Sequence, residues 1–296
     1  MAKNQAYLFA GQAAQFVGMG EQLNSEYQEV FEQANDILGF DLTKVMLEGP
    51  EEALKQTINT QPAVFLHSYL VWSKYHVDHP TPSALAGHSL GELTALVVGG
   101  VISFEDGLSL VRSRAEAMQS ACEQNSSTMA AILGMEDEVV EKICADIPEV
   151  VVPANYNCPG QLVISGSKEG ISKAIAVCQE QGARRALEIS VGGAFHSPLM
   201  DPAVEPFATA VDAISFNDAK IPIYQNVTAQ AVTTGDEIKR NIINQVTSPV
   251  KWTHTIQNMI SDGIQQFVEI GGKGRILQGM VRKVSRDVET EVWKEV

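Results

Sequence analysis

Gly87-His88-Ser89-Leu90-Gly91 has the spacing G-x-S-x-G, and an apolar stretch, Ser83-Ala84-Leu85-Ala86, leads straight into it. This pattern places a serine on a sharp strand-to-helix turn, where its hydroxyl projects and the next amide can bind an oxyanion. Glycine on both sides suits an elbow whose backbones pack too closely to admit a Cβ. The residues that follow, Glu92-Leu93-Thr94-Ala95-Leu96-Val97-Val98, read as a mostly apolar buried helix whose N-terminus lends positive potential to Ser89. The chemistry on offer is nucleophilic acyl transfer through a covalent ester.

A serine hydroxyl needs a base within hydrogen-bond reach. His88 is adjacent to Ser89, but neighbouring side chains on a tight turn point apart. His196 closes a glycine-rich approach, Gly192-Gly193-Ala194-Phe195-His196, that can carry a base over a pocket; a structural loop histidine is the competing reading. His67, His76, His79 and His254 have no ligand-like company and read as ordinary surface or core residues. Near the N-terminus, Gly11-Gln12-Ala13-Ala14-Gln15 follows a first strand, and small residues there let main-chain amides approach a ligand. From spacing alone, an ordinary strand-to-helix loop is the favoured reading of that segment. Arg114, taken alone, reads as a surface helix residue.

The elements that must position these groups alternate between strand and helix. Ala6 to Ala10 read as the first strand, and Ser25 is a candidate cap for a helix with Val30, Phe31, Ala34, Ile37 and Leu38 on one face, stopped by Gly39. A second helix is predicted over 62–75, with Pro62 in its first turn. This alternation predicts an α/β core around a largely parallel sheet. The texture changes near Ser126: strand 129–133, helix 137–146, strands 150–155 and 161–165, helix 168–181 and strand 186–191. That β-α-β-β-α-β order is the split pattern of a ferredoxin-like unit, with Pro159-Gly160 as its central turn. The expected organisation is a discontinuous α/β core, 1–126 and 192–296, with an insertion at 127–191.

The chain has 296 residues, 45% hydrophobic and 19% charged, the balance of a globular enzyme. Its formal charge of −15 argues against nucleic acid as a partner. No apolar run approaches the ~20 residues of a membrane span, and no cleavable leader pattern opens the sequence, so a cytoplasmic protein with no membrane partner is expected. Cys122, Cys144, Cys158 and Cys178 lack C-x-x-C spacing and adjacent histidines, which points to reduced, buried thiols and not to a metal site.

Taken together, these residues resemble the malonyl-CoA:acyl-carrier-protein transacylases, which load malonyl groups in fatty-acid synthesis and are related to the acyltransferase domains of polyketide synthases. The resemblance runs nearly end to end. It rests on Phe9-Ala10-Gly11-Gln12-Ala13-Ala14-Gln15, Thr60-Gln61-Pro62-Ala63, Gly87-His88-Ser89-Leu90-Gly91-Glu92, residues 114–119, 155–161 and 193–197, Pro249-Val250-Lys251-Trp252 and Glu269-Ile270-Gly271. It implies an α/β-hydrolase-like core, Ser89 as nucleophile, His196 as base, and an oxyanion hole from the amides of Gln12 and Leu90. It further implies that Arg114 binds the malonyl carboxylate, with Gln61 and Phe195 in the pocket, and that a backbone carbonyl at Gln245 orients His196. A guanidinium suits a carboxylate through two parallel charge-assisted hydrogen bonds. The implied substrates are malonyl-CoA and the phosphopantetheine thiol of acyl carrier protein, with no cofactor.

Carrier proteins are acidic, as this chain is, so docking calls for a local basic patch. Lys251, Lys273, Arg275, Arg282 and Lys283 are the candidates, against the reading of a solvated helix face. The chain departs from the family pattern at Ala10, Ala13-Ala14, Ala115 and Gly272-Lys273. If Ala13 must adopt positive φ, its Cβ costs on the order of 1 kcal/mol. Competing functions are a trans-acting acyltransferase of a polyketide synthase, an α/β-type serine hydrolase and a silent carrier-binding module. The hydrolase leaves Arg114 and Gln12 without a task; retention of Ser89 and His196 disfavours the silent module.

Overall fold

Runs such as Ala6-Tyr7-Leu8-Phe9 and Ala84-Leu85-Ala86 lack alternation because both faces of their strands are covered, and every residue of the two strands they belong to is buried. In the computed structural model, which describes residues 4–295, the strands are β1 Gln5–Phe9, β2 Ala84–Gly87, β3 Ser127–Leu133, β4 Val151–Cys158, β5 Gln161–Ser167, β6 Arg185–Ile189, β7 Ile223–Tyr224, β8 Ala231–Val232, β9 Gln266–Ile270 and β10 Glu289–Trp293. They form a six-stranded sheet, order β10-β9-β1-β2-β7-β8, and a four-stranded sheet, order β4-β5-β3-β6. The larger sheet is parallel except for the β7–β8 pair, and the smaller is antiparallel throughout.

The smaller sheet packs on both faces, and its alternation shows how. Ala130 and Ile132 of β3, with Leu162 and Ile164 of β5, join a core under the helices Asp137–Asp146 and Lys168–Glu180. Their neighbours Met129 and Val163 point the other way, into the main core. A period of two therefore gives this sheet one private face and one face turned toward the larger sheet.

Several element limits differ from the sequence reading. The helix Thr57–Tyr75 starts ahead of Pro62, which lies inside it and not in its first turn; Ala63, Val64, Phe65 and Leu66 are all buried, so tertiary packing outweighs the lost hydrogen bond. Ser25 caps the C-terminal end of a short helix, Glu21–Asn24, and the helix Gln28–Leu38 begins after Tyr27. Gly39, at φ 74°, closes that helix in the left-handed conformation. Strand β4 runs on to Cys158, past the polar Asn155-Tyr156-Asn157, because β5 pairs with it along that length. Strand β6 stops at Ile189, which leaves residues 190–193 as loop.

β1 and β2 are neighbours, so the segments that follow them emerge side by side at one end of the parallel sheet. There the packing is extreme. A Cβ on Gly91 would lie 2.1 Å from the Phe9 carbonyl oxygen, and one on Gly87 would lie 1.9 Å from the Gly91 carbonyl carbon. Gly279, on the exposed side of the helix Ile276–Val284, has nothing within 4 Å of such an atom. In chemical denaturation, Gly91→Ala should destabilise the fold by about 3 kcal/mol or more, and Gly279→Ala should stabilise it by ~0.5–1 kcal/mol. Equal effects from the two changes would refute this account of the elbow.

Candidate active site

Ser89 sits between the end of β2 and the helix Gly91–Val98, with φ 52°. A serine in this left-handed region carries on the order of 1–2 kcal/mol of strain, which a close-packed turn can hold. Its Oγ is 2.8 Å from His196 Nε2, and His196 Nδ1 is 2.9 Å from the Gln245 carbonyl oxygen. With a carbonyl opposite Nδ1, the proton belongs on that nitrogen and Nε2 is free to accept one from serine. The histidine loop is itself tied down: Ala194 N–H donates to Ser127 Oγ at 3.1 Å, and Ser197 Oγ–H donates to the Ala194 carbonyl at 2.7 Å.

Arg114 projects from the helix Phe104–Gln124 and is 2% exposed, not the surface residue its helical setting alone suggests. Its Nη1 donates to Gln61 Oε1 at 2.7 Å, and its Nη2 donates to Gln245 Oε1 at 2.9 Å and to Ser89 Oγ at 3.2 Å. All three acceptors are neutral. Burial lowers the guanidinium to about 10, partly offset by Glu92, so it stays charged at neutral pH. Gln61 is held in turn by Met118, with Nε2 3.7 Å from Sδ.

These groups meet at one cavity of about 220 Å³. Gln12, Ser89, Arg114, Phe195 and His196 line it, with Met118, Met129, Val163 and Met280 making much of the wall apolar. Leu90 is the N-cap of the helix after Ser89, so amides there lie where an α-helix supplies no internal acceptor. Ala13 adopts φ 83°, the strained conformation considered for it, and its amide donates to Gln15 Oε1 at 2.8 Å. His88 turns away from Ser89, with Nε2 2.9 Å from Asn157 Oδ1. The basic residues divide: Lys273, Arg275 and Arg282 surround one surface depression, Arg282 and Lys283 the next, and Lys251 lines neither. Among the described residues no group of three or more His, Cys, Asp or Glu side chains is arranged to hold a metal ion, and the four cysteines are free and buried. No described helix is long and apolar enough to cross a membrane.

Sequence reasoning passed over a second polar layer. Asn226 and Gln225, just after β7, and Glu92, on the helix after Ser89, are fully buried beneath the elbow. Glu92 had one available signal, a charged residue opening an otherwise apolar helix. Burial raises it to about 7 against hydrogen bonds from Asn226, Gln225 and Gln245 and the attraction of Arg114.

The whole assembly matches a family model described as an acyl transferase domain, over residues 6–293. The chain belongs to the acyl transferase family. It is 40% identical over 291 residues to the malonyl CoA-acyl carrier protein transacylase of Bacillus subtilis, covering 96% of this chain and 92% of the relative. The transacylase of the same name from Haemophilus influenzae is 39% identical over 294 residues, 97% and 94% of the two chains. Among solved structures, an acyl carrier protein S-malonyltransferase from Vibrio cholerae superposes with a TM-score of 0.94 at 38% identity, covering 99% and 97%. A malonyl-transacylase solved in complex with a type II PKS acyl-carrier protein gives 0.93 at 34% identity, covering 98% and 95%.

Burial, and then the charge of Arg114, push His196 down to about 3, against the supporting Gln245 carbonyl. The imidazole is therefore neutral, and able to take a proton, far below the ordinary histidine range. Modification of Ser89 by a phosphonylating reagent should persist down to about pH 5, where an ordinary histidine base would already be protonated. Complete loss of modification between about pH 6.5 and about pH 5 would contradict the geometry. The same depression works against the fold in acid. The unfolded chain takes up a proton that folded His196 refuses, so stability falls as pH drops below about 6.5.

Proposed function

We propose that the chain transfers a malonyl group from malonyl-CoA to the phosphopantetheine thiol of acyl carrier protein, through an ester on Ser89, in the fatty-acid synthesis of a cytoplasm. The observation that carries this reading is the buried Arg114 guanidinium, bonded to neutral acceptors and 3.2 Å from the nucleophile. A carboxylate one carbon removed from the reacting carbonyl is the ligand that such a charge, at such a distance, selects.

In the first half-reaction His196 Nε2 takes the Ser89 proton as Oγ attacks the thioester carbonyl. The amides of Gln12 and Leu90 receive the oxyanion. Collapse expels the CoA thiolate, which leaves with the proton held on His196. In the second half-reaction the carrier thiol gives its proton to His196, its sulfur attacks the malonyl-serine, and Ser89 leaves reprotonated. Gln245 holds the imidazole through its carbonyl and the guanidinium through its side chain, and Gln61 grips the guanidinium from the other side. Phe195, at the cavity wall, crowds an α-methyl branch, a discrimination of ~1–3 kcal/mol. Every step uses protein groups and the two substrates, so the reaction as written calls for no cofactor.

The fold behind this chemistry is, in our reading, an α/β-hydrolase-like core of residues 1–126 and 192–296 with a ferredoxin-like insertion at 127–191. The antiparallel order β4-β5-β3-β6, a helix after β3 and another after β5, and a separate small core support it. Carrier docking would use Lys273, Arg275, Arg282 and Lys283, with Lys251 apart from them. A polyketide carrier is the second reading, favoured by the likeness to a transacylase solved with a type II PKS carrier. Transfer rates to carriers from the two pathways distinguish the readings.

Arg114→Ala should slow malonyl loading of Ser89 on the order of 100-fold, with a much smaller loss for acetyl loading. Equal losses for the two acyl groups, read by single-turnover kinetics, would overturn the carboxylate role.

A further inference from the structure

The transfer chemistry makes no direct use of Asn226, yet its side chain bridges both sides of the elbow. Its Oδ1 accepts the Ser89 N–H at 2.7 Å, and its Nδ2 donates to the Gly87 carbonyl at 2.7 Å. The same Oδ1 is 3.3 Å from Gln245 Nε2, which also donates to the Ser89 carbonyl at 3.1 Å. One amide thus ties together the backbone before the nucleophile, the nucleophile itself and the residue that holds both His196 and Arg114.

Asn226 is anchored in turn by Glu92. The Asn226 N–H donates to Glu92 Oε2 at 2.7 Å, and Gln225 Nε2 donates to Oε1 at 3.1 Å. Gln225 is fixed from behind by Asn241, whose Nδ2 donates to its Oε1 at 2.7 Å. Donors thus reach both Glu92 oxygens, so two acceptor oxygens are needed. A carboxylate has them; a primary amide has one, and would set its NH2 against a donor. A fully buried carboxyl group, even with the attraction of Arg114, is costly to keep for packing alone.

We infer that Asn226 is a positioning residue for acyl transfer and Glu92 its anchor, together holding Ser89 in its left-handed conformation and in register with His196 and Arg114. The inference rests on the proposed role of Ser89 as nucleophile. The strained φ persists only while neighbouring groups over-determine it. Gly87 O and Ser89 N can be met by a single planar amide only when the turn has the shape seen here. If the amide is lost, Ser89 relaxes and its Oγ leaves the line to His196 Nε2. A displacement of about 1 Å is enough to cost 100-fold in rate.

The test measures three variants, Asn226→Ala, Asn226→Asp and Glu92→Gln, each corrected for the fraction folded. Asn226→Ala should slow Ser89 loading from malonyl-CoA on the order of 100-fold, with KM changed far less. Glu92→Gln should fall between it and the unsubstituted chain. Asn226→Asp supplies the signature that a purely structural role would not: its ionised carboxylate repels the Gly87 carbonyl, and its protonated form can donate to it. Burial lifts a carboxyl at this position above its ordinary value of about 3.9, so loading by that variant should rise, relative to the unsubstituted chain, as pH is lowered from about 8 to about 5. Folded Asn226→Ala that loads within about three-fold of the unsubstituted chain would overturn the inference. If Asn226→Ala does not fold, an Asn226→Asp profile parallel to the unsubstituted chain would overturn it instead. Phosphonylation of Ser89, run beside each assay, separates the two readings. A chain that never accepts malonyl but loses phosphonylation on Asn226→Ala refutes the malonyl function and keeps the positioning role.

Discussion

A guanidinium buried among neutral acceptors is the constraint on which this site depends. Arg114 is held by two glutamine oxygens and the serine hydroxyl, and each of those partners is fixed by something else. Gln61 comes from a helix buried nearly all round, and Gln245 from the end of the helix Gly235–Asn244. Removing a charge from water is costly unless hydrogen bonds or an opposite charge compensate it. Here the charge lies in the cavity wall, 3.2 Å from Ser89 Oγ. Burial first, and this charge second, hold His196 below the ordinary histidine range.

The larger sheet supplies the rigid half of this arrangement. Adjacent parallel strands β1 and β2 deliver Gln12 and Ser89 to the same end of the sheet, and the glycine contacts at the elbow leave no slack between them. The smaller sheet supplies a wall. Met129 and Val163 reach the cavity because alternate residues of β3 and β5 face the main core, while the loop after β6 brings Phe195 and His196 over the top. The cavity thus lies between the two sheets.

What was legible in the sequence follows from how local each signal is. The strand, turn and helix around Ser89 are written in consecutive residues, and so is the alternation of the smaller sheet. Gly39 and the Pro159-Gly160 turn likewise declare themselves by backbone chemistry alone. Asn226, Gln225 and Asn241 do not, since a polar residue near a short strand reads as loop or surface until its burial is known. The same bias cut β4 short at Asn155, because asparagines that face a cavity look like the end of a strand. Pro62 misled in the opposite direction: a helix-start signal was overridden by the packing of residues on every side of it. Arg114 shows the limit most clearly, because a helix position carries no mark of which face is buried until a second glutamine 131 residues away closes over it.

The central claim is that Ser89 holds an acyl group for a thiol and not for water. It is tested most directly by mixing the chain with malonyl-CoA, quenching in acid, mapping the added mass by peptide mass spectrometry, and chasing a parallel sample with holo carrier protein. The expected result is one malonyl group on the peptide that contains Ser89, discharged onto the carrier's phosphopantetheine thiol faster than it is lost to solvent. A label on another residue, or free malonate as the only product of the chase, would contradict it.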